Sequence, residues 1–110
     1  LLVIEKIESQ GMPVGVTTFE TVFWSGRFAQ TWLARGLVVE RLGRRAVKLH
    51  LCNSARATDG NIRQALMDRF GPSKMQAWGT KRTPGPLYGL TAHKLAALAV
   101  ALAWADQHPR

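Results

Sequence analysis

The apolar residues of the chain form short continuous runs and longer repeats with helical spacing. Residues 1–5 are an apolar run that ends in an acid, which predicts a strand buried on both faces of a sheet. Residues 37–41 predict a second strand. Between the strands the spacing predicts a helix that is capped by Thr17 or Thr18 and ended by Gly36. Its apolar face comprises Phe19, Val22, Phe23, Gly26, Ala29, Trp32 and Leu33.

The second half of the chain is predicted to be mostly helical. A short basic helix is expected over residues 44–51, and Asp59 is expected to cap a helix over 59–70 that Gly71 and Pro72 end. Residues 73–90 are rich in Gly, Pro, Lys and Thr and predict a functional or mobile loop. The last helix, over 91–106, is apolar nearly all round, so we expect it to be buried against the sheet.

These elements predict an α/β fold in one domain over residues 1–110. The order strand, helix, strand predicts a parallel pair joined by a right-handed crossover. Because two parallel strands do not make a stable sheet by themselves, either the chain dimerises or further strands belong to the sheet. The chain opens inside an apolar run without an initiator Met, which favours missing strands.

The net charge of the chain gives the first indication of its function. Fifteen Lys and Arg against seven Asp and Glu give a net charge of +8. Such a basic domain commonly binds nucleic acid or another polyanion, and the alternative is a basic surface that only maintains solubility. The single Cys52 excludes an intrachain disulfide and favours a reducing compartment. No apolar run has the roughly 18 residues that a membrane span needs.

Two residues are candidates for metal binding. Glu5 ends the first strand, where open α/β sheets place their ligands, although it also begins the polar stretch 5–8. His93 begins the last helix, where a histidine is more often a surface residue than a ligand. If that helix packs beside Glu5, the carboxylate and the imidazole could share one Mg²⁺ or Mn²⁺ ion.

Basic and aromatic residues form the candidate nucleic-acid interface. Cations interleaved with aromatic rings are typical of proteins that bind single strands or junctions. The alternatives are a solvated basic face, and packing roles for the two aromatic residues. The candidate residues are Arg41, Arg44, Arg45, Lys48, Trp78, Lys81, Arg82 and Tyr88.

Other chemistries have no support in the sequence. His50 and Cys52 lack a second pair at metal-ligand spacing, so a zinc site is not indicated. The serines lack the G-x-S-x-G motif of acyl hydrolases. No Walker or G-x-G-x-x-G loop follows a strand, so nucleotide-triphosphate chemistry has no support. No small-molecule cofactor is expected.

Four segments carry a more specific combination of residues. They are IEKIESQGMPVG at 4–15, FETVFWSGRF at 19–28, DGNIRQAL at 59–66, and GPLYG at 85–89 followed by HKLAALAVAL at 93–102. Together they resemble the RuvC-type Holliday-junction resolvases of phages and prophages. The resemblance covers nearly the whole chain.

The resemblance implies an RNase H-like fold, a mixed sheet flanked by helices, of which this chain would be the carboxyl-terminal two-thirds. It implies Mg²⁺- or Mn²⁺-dependent cleavage of branched DNA by a cytoplasmic homodimer in a bacterial or phage-infected cell. The family takes catalytic acids from its first strand, a later strand and the final helix. Glu5 matches the second of these, and the first has no counterpart. In the final helix the acid pair falls at about His93 and Ala96, so His93 substitutes for an acid and Ala96 is not a ligand.

Three functions follow as hypotheses. The first is a structure-selective endonuclease that resolves Holliday junctions, with Glu5 and His93 as metal ligands and the basic residues on the phosphates. Two-metal hydrolysis needs several anionic ligands around ions about 4 Å apart, and one Glu and one His do not supply them. The alternatives are therefore a non-catalytic nucleic-acid-binding module and a structural subunit whose sheet a partner completes.

Overall fold

The computed structural model describes residues 1–9, 11–71 and 73–109. In this part of the chain it shows a mixed α/β architecture with one two-stranded parallel sheet and five helices. The chain divides into two compact units, an amino-terminal unit (Leu1–Arg44) and a carboxyl-terminal unit (Arg45–Arg110). The single domain over 1–110 stays a prediction.

The amino-terminal unit is a strand–helix–strand motif. β1 (Leu2–Lys6) and β2 (Val39–Gly43) are joined by α1 (Val16–Ala34), and the strands pair in parallel with Leu2 opposite Val39. This confirms the predicted parallel pair. The predicted burial of the first strand is wrong, because every residue of β1 is half-buried or exposed. In the described sheet β1 has β2 as its hydrogen-bonded neighbour on one edge, so its other edge is open.

The ends of α1 differ in how well the sequence predicted them. Gly15 occupies the N-cap position and no side chain caps the helix, so the predicted threonine cap is wrong. Thr21 instead donates from its hydroxyl to the Thr17 carbonyl within the helix. The predicted stop is confirmed: Gly36 has φ +73° and donates its N–H to the Leu33 carbonyl, a conformation that glycine adopts without steric cost.

The apolar face predicted for α1 is split between two sides of the helix. The side nearest the sheet carries Val22 and the small residues Ser25, Gly26 and Ala29, which line a groove of about 190 Å³ with residues of β1 and β2. Phe19 and Phe23 do not line this groove and are 65% and 58% exposed, whereas Trp32 is half-buried. No residue of α1 is buried.

The carboxyl-terminal unit contains the hydrophobic core of the described chain. It comprises most of α2 (Arg44–Cys52), with α3 (Asp59–Phe70), α4 (Lys74–Trp78) and α5 (Ala92–Gln107), and α3 packs against both α4 and α5. All ten of the buried hydrophobic residues described lie in this unit. They are Val47, Ala57, Ile62, Leu66, Ala77, Leu87, Leu95, Ala99, Val100 and Ala103.

Two details of this unit correct the predictions. The N-cap of α3 is Thr58 rather than Asp59: the Thr58 hydroxyl accepts from the Asn61 N–H, and the Asn61 side chain accepts from the Thr58 N–H. Residues 73–90 are not an unstructured loop, because they contain α4, an antiparallel bridge from Gly79 to Pro84 and a turn. Gly71 ends α3 as predicted, whereas Pro72 lies outside the described residues.

The last helix forms close to its predicted bounds. α5 begins after Thr91 and buries Leu95, Ala99, Val100 and Ala103, which repeat at helical spacing. Within its own unit it packs against α3. Its packing against the sheet stays a prediction. No helix in the described part of the chain has the length and apolar character needed to cross a membrane.

Candidate nucleic-acid interface

The positive charge of the protein is concentrated in the carboxyl-terminal unit. The amino-terminal unit has five Lys and Arg against four Glu, whereas the carboxyl-terminal unit has ten Lys and Arg against three Asp. Seven of the eight net positive charges therefore belong to residues 45–110. Such a density of cations attracts a polyanion and is screened by salt.

One basic feature of this unit is a hairpin whose first arm begins in the last turn of α4. Its two arms are joined by the Gly79–Pro84 bridge and by hydrogen bonds from the Gly85 N–H to the Trp78 carbonyl (3.0 Å) and from the Leu87 N–H to the Ala77 carbonyl (2.9 Å). Ala77 and Leu87 are almost completely buried. The base of the hairpin is thus part of the core, and residues 77–87 are called the basic hairpin below.

Lys81 and Arg82 form the tip of the basic hairpin. Thr80 and Thr83 close the turn through three contacts of 3.1 Å: from the Thr80 N–H to the Thr83 carbonyl, from the Thr83 N–H to the Thr80 hydroxyl, and between the two hydroxyls. Both cations are exposed, and neither forms an ion pair with another described residue. The turn therefore presents two adjacent positive charges to solvent.

Gly79 is required for this geometry. It has φ +68°, and a Cβ atom there would collide with the backbone of Thr83 and Gly85. Because the atoms it would meet are main-chain atoms, a side chain at this position would have to open the hairpin.

The aromatic residues of the unit have different environments. The Arg63 guanidinium lies 4.7 Å from the centre of the Trp78 ring, and the Trp78 indole N–H is buried. The Trp104 ring stacks on His108 with 4.3 Å between ring centres. Tyr88 is 44% exposed, and its ring contacts neither a ring nor a cation among the described residues. These contacts favour the packing role for Trp78 and leave Tyr88 accessible to a ligand.

The other candidate cations lie on or near the second strand and α2. Arg41 in β2 is exposed and lines the groove beside α1 together with Glu5. Arg44 lies 4.0 Å from Glu5, so this cation faces a carboxylate. Arg45 is exposed and Lys48 is half-buried on α2. The structure therefore places Arg44 next to Glu5, and it places Lys81, Arg82, Trp78 and Tyr88 in or directly after the basic hairpin.

The two candidate metal ligands belong to different units. Glu5 lies at the end of β1 in the amino-terminal unit, and His93 is exposed in the first turn of α5 in the carboxyl-terminal unit. Their pairing around one ion stays a prediction. In the described ranges no group of three or more His, Cys, Asp or Glu residues has the arrangement of a metal site.

A charged network in the carboxyl-terminal unit was not predicted from the sequence. Asp106 near the end of α5 accepts hydrogen bonds from His50 Nε2 on α2 (2.8 Å) and from an Arg69 Nη on α3 (2.7 Å). The three residues connect three helices. His50 and Asp106 are 56 positions apart, and no spacing in the sequence indicates such a contact.

This network makes stability depend on pH, and replacing Asp106 by asparagine tests it. The hydrogen bonds from His50 and then Arg69 hold the pKa of the Asp106 carboxyl below its ordinary value. A carboxyl whose pKa is lower in the folded state stabilises the fold above its unfolded-state pKa, and this stabilisation disappears as pH falls through the folded-state pKa. We expect a lower Tm for Asp106→Asn at neutral pH, and a difference in Tm from the wild type that narrows as the pH falls below the ordinary pKa of an aspartate, about 3.9.

Thermal unfolding followed by circular dichroism at several pH values measures this gap. The control is Asp68→Asn on α3, where the carboxylate accepts from Gln64 within one helix. A gap for Asp106→Asn that stays constant down to about pH 2 would contradict the assignment.

Comparison of the chain with protein-family models, with curated proteins and with solved structures found no match to any of them.

Proposed function

We propose that this protein binds branched DNA, and that the carboxyl-terminal unit carries the contacts. The observation that supports the proposal best is the concentration of positive charge: residues 45–110 have ten Lys and Arg against three Asp, whereas the amino-terminal unit is almost neutral. Contacts between cations and phosphates dominate the affinity of such domains for DNA, because each contact releases counterions.

Within this unit the basic hairpin is proposed to be the main phosphate contact. Its tip holds two exposed cations on a turn closed by hydrogen bonds, so little backbone freedom is lost when they meet a phosphate. Arg45 and Lys48 on α2 are proposed to contribute further phosphate contacts. Arg44 is a weaker candidate because it lies 4.0 Å from the Glu5 carboxylate, and Arg41 is one because it belongs to the almost neutral amino-terminal unit.

The finer fold assignment is also part of the proposal. A parallel strand–helix–strand motif followed by helices is compatible with part of an RNase H-like domain, and the resemblance of four sequence segments to RuvC-type resolvases supports it. In this proposal the protein acts on recombining DNA in the cytoplasm of a bacterial or phage-infected cell.

Metal-dependent cleavage of the bound DNA has weaker support. In the resolvase hypothesis Mg²⁺ or Mn²⁺ is held by Glu5 and His93. The described residues do not fit this ion: they contain no cluster of three metal-binding side chains, and the neighbour of Glu5 is the Arg44 cation. A divalent ion in a hydrolytic site needs more anionic ligands than one carboxylate. This observation favours the second candidate, a non-catalytic DNA-binding module.

We therefore expect the 110-residue chain to bind a four-way junction without Mg²⁺ and to leave it uncut when Mg²⁺ or Mn²⁺ is added. The logarithm of the affinity should fall linearly with the logarithm of the salt concentration. Replacing both Lys81 and Arg82 by alanine should make that slope shallower by about 1 to 2, since each phosphate contact contributes roughly 0.7 to 0.9. Fluorescence anisotropy measures the affinity and its dependence on salt, and a gel assay measures cleavage of the junction.

The matched control is Lys6→Ala with Arg35→Ala, which removes the same charge from exposed positions of the amino-terminal unit. If the control variant lowers the salt-dependence slope by the same amount, the effect is one of net charge and the phosphate contacts do not belong to Lys81 and Arg82. Cleavage that depends on the metal and disappears in Glu5→Gln would restore the nuclease hypothesis.

The partner proposed for the amino-terminal unit is a second copy of the same chain. The outward side of α1 exposes Val16, Phe19, Phe23 and Trp24, and such aromatic surfaces are rare on monomeric proteins. The unit has no buried hydrophobic residue of its own among those described. It therefore needs a further surface to complete its core.

The charge pattern on this side of α1 is complementary to that of a second, antiparallel copy. Glu20 and Arg27 are its charged residues, and the Arg27 guanidinium lies on its own helix, 4.6 Å from the Trp24 ring centre. Along the helix axis, Glu20 and Arg27 each lie about 5 Å from the point midway between Phe23 and Trp24, on opposite sides of it. In an antiparallel pair about a two-fold axis at that point, Glu20 of each copy lies at the level of Arg27 of the other. A parallel pair would bring like charges together.

A further inference from the structure

The residues around the basic hairpin indicate which form of DNA they recognise. We infer that Tyr88 stacks on an unpaired base while Lys81 and Arg82 hold the phosphates of the same strand, so that the protein prefers unpaired nucleotides to continuous duplex. This inference rests on the proposed function and names the feature of branched DNA that the carboxyl-terminal unit binds.

The first argument is that Tyr88 is the aromatic ring of this unit that is accessible to a ligand. Trp78 is covered by Arg63, Trp104 is stacked on His108, and Phe70 is half-buried. Tyr88 is 44% exposed, and its ring has no aromatic or cationic neighbour among the residues that the structure describes. A base stacked on such a ring contributes substantially to binding and does so with little dependence on sequence.

The second argument is that Tyr88 is held in a fixed position. Its N–H donates to the Gly85 carbonyl (3.1 Å), and the Leu90 N–H donates to the Leu87 carbonyl (3.1 Å), so the residue lies within a hydrogen-bonded turn. The preceding residue, Leu87, is 1% exposed, and its N–H donates a hydrogen bond to the Ala77 carbonyl at the base of the hairpin. An exposed ring on a rigid support loses little conformational freedom when it binds.

The third argument is the distance between the ring and the cations. Tyr88 lies about six residues along the chain from Arg82, so their backbones are at most about 21 Å apart. A stacked single strand rises about 3.4 Å per nucleotide, and about six nucleotides therefore span the greatest possible separation. One short segment of single strand can reach both the ring and the tip of the hairpin.

Duplex DNA does not offer the same contact. Inside a continuous helix both faces of every base are stacked and its edge is paired, whereas a base at a branch point or in a single strand unstacks at a lower cost because it has no paired partner to leave. The exposed aromatic residues of α1 do not provide an equivalent site, because the amino-terminal unit has five Lys and Arg against four Glu and lacks the excess of cations.

The test compares the binding of two fluorescein-labelled probes, an oligothymidylate and a duplex of the same length, to the full chain and its variants. We expect Tyr88→Ala to weaken binding of the single strand about 10- to 100-fold and to change binding of the duplex less than about threefold. Tyr88→Phe should bind both probes like the wild type, because the ring is kept. The salt dependence should be unchanged in both variants, since no cation is lost.

A third probe, with 2-aminopurine in the single strand, reports stacking directly. Its fluorescence should be quenched on binding to the wild type and to Tyr88→Phe, and not to Tyr88→Ala. Circular dichroism of each variant verifies that the fold is retained.

Each result separates this inference from the proposed function. If the wild type binds neither these two probes nor the four-way junction, the proposed function is wrong. If it binds the junction and not the single strand, only the stacking role is wrong. If the wild type binds both probes and Tyr88→Ala weakens neither, or weakens both equally, only the stacking role is wrong. The stacking role is also wrong if Tyr88→Phe binds the single strand as weakly as Tyr88→Ala does.

Discussion

Replacing Leu66 by alanine is expected to lower the free energy of unfolding by about 3 kcal/mol. Leu66 lies in α3 and is one of the two largest side chains that are completely buried. The substitution removes apolar contacts and leaves a cavity that the surrounding helices fill only in part. Urea denaturation followed by circular dichroism measures the loss as a lower midpoint with an unchanged slope.

Leu49→Ala is the matched control, because it makes the same substitution in a helix at a position that is 56% exposed. We expect it to change stability by less than about 1 kcal/mol. Equal losses in the two variants would mean that the core of the carboxyl-terminal unit is not where the structure places it.

Reversing one charge on the outward side of α1 is expected to weaken self-association at least about 30-fold, or about 2 kcal/mol. Glu20→Arg would place two arginines at the same level of the proposed antiparallel pair, and Arg27→Glu would place two glutamates there. Combining the two substitutions restores opposite charges and should restore the dimer. Sedimentation velocity over a range of protein concentrations measures all three variants.

Glu40→Arg is the control for this experiment, since it makes a reversal of equal size at an exposed position on β2. It should leave association unchanged. If the double variant associates as weakly as the single ones, the helices do not pair in the antiparallel register. A wild type that is monomeric at every concentration would refute the dimer itself.

These two predictions differ because large apolar side chains are buried in one unit and exposed in the other. In the carboxyl-terminal unit, large apolar side chains such as Leu66 and Leu87 are buried within the unit, so stability depends on their packing. In the amino-terminal unit such side chains are exposed along α1, so they are available for a partner. The substitution at Leu66 therefore changes folding, whereas the substitutions at Glu20 and Arg27 change assembly.

Much of the fold follows from local patterns. The two strands, α1, α3 and α5 were predicted within a few residues, because hydrophobic spacing and end signals such as Gly36 and Gly71 act over short distances. The N-caps were predicted less well. Thr58 and Asp59 are both good capping residues, and the reciprocal bond with Asn61 selects Thr58.

The candidate site was predicted in its composition and missed in its geometry. Lys81, Arg82 and Tyr88 were recognised as cations and an aromatic ring in one segment. The hairpin that presents them depends on Gly79 and on hydrogen bonds between residues 77–80 and 83–87, which Gly and Pro content alone does not indicate. The contact of Arg63 with Trp78 joins residues that are far apart in the sequence and distinguishes Trp78 from Tyr88.

The sequence by itself determined most of the elements outside residues 73–90, the parallel strand pair and the excess of positive charge, because spacing, turn residues and net charge are local or additive properties. Only the tertiary structure decided which apolar residues are buried, which aromatic ring is exposed and which helices Asp106 connects. Those properties depend on contacts between residues far apart in the chain, and no short sequence pattern encodes them.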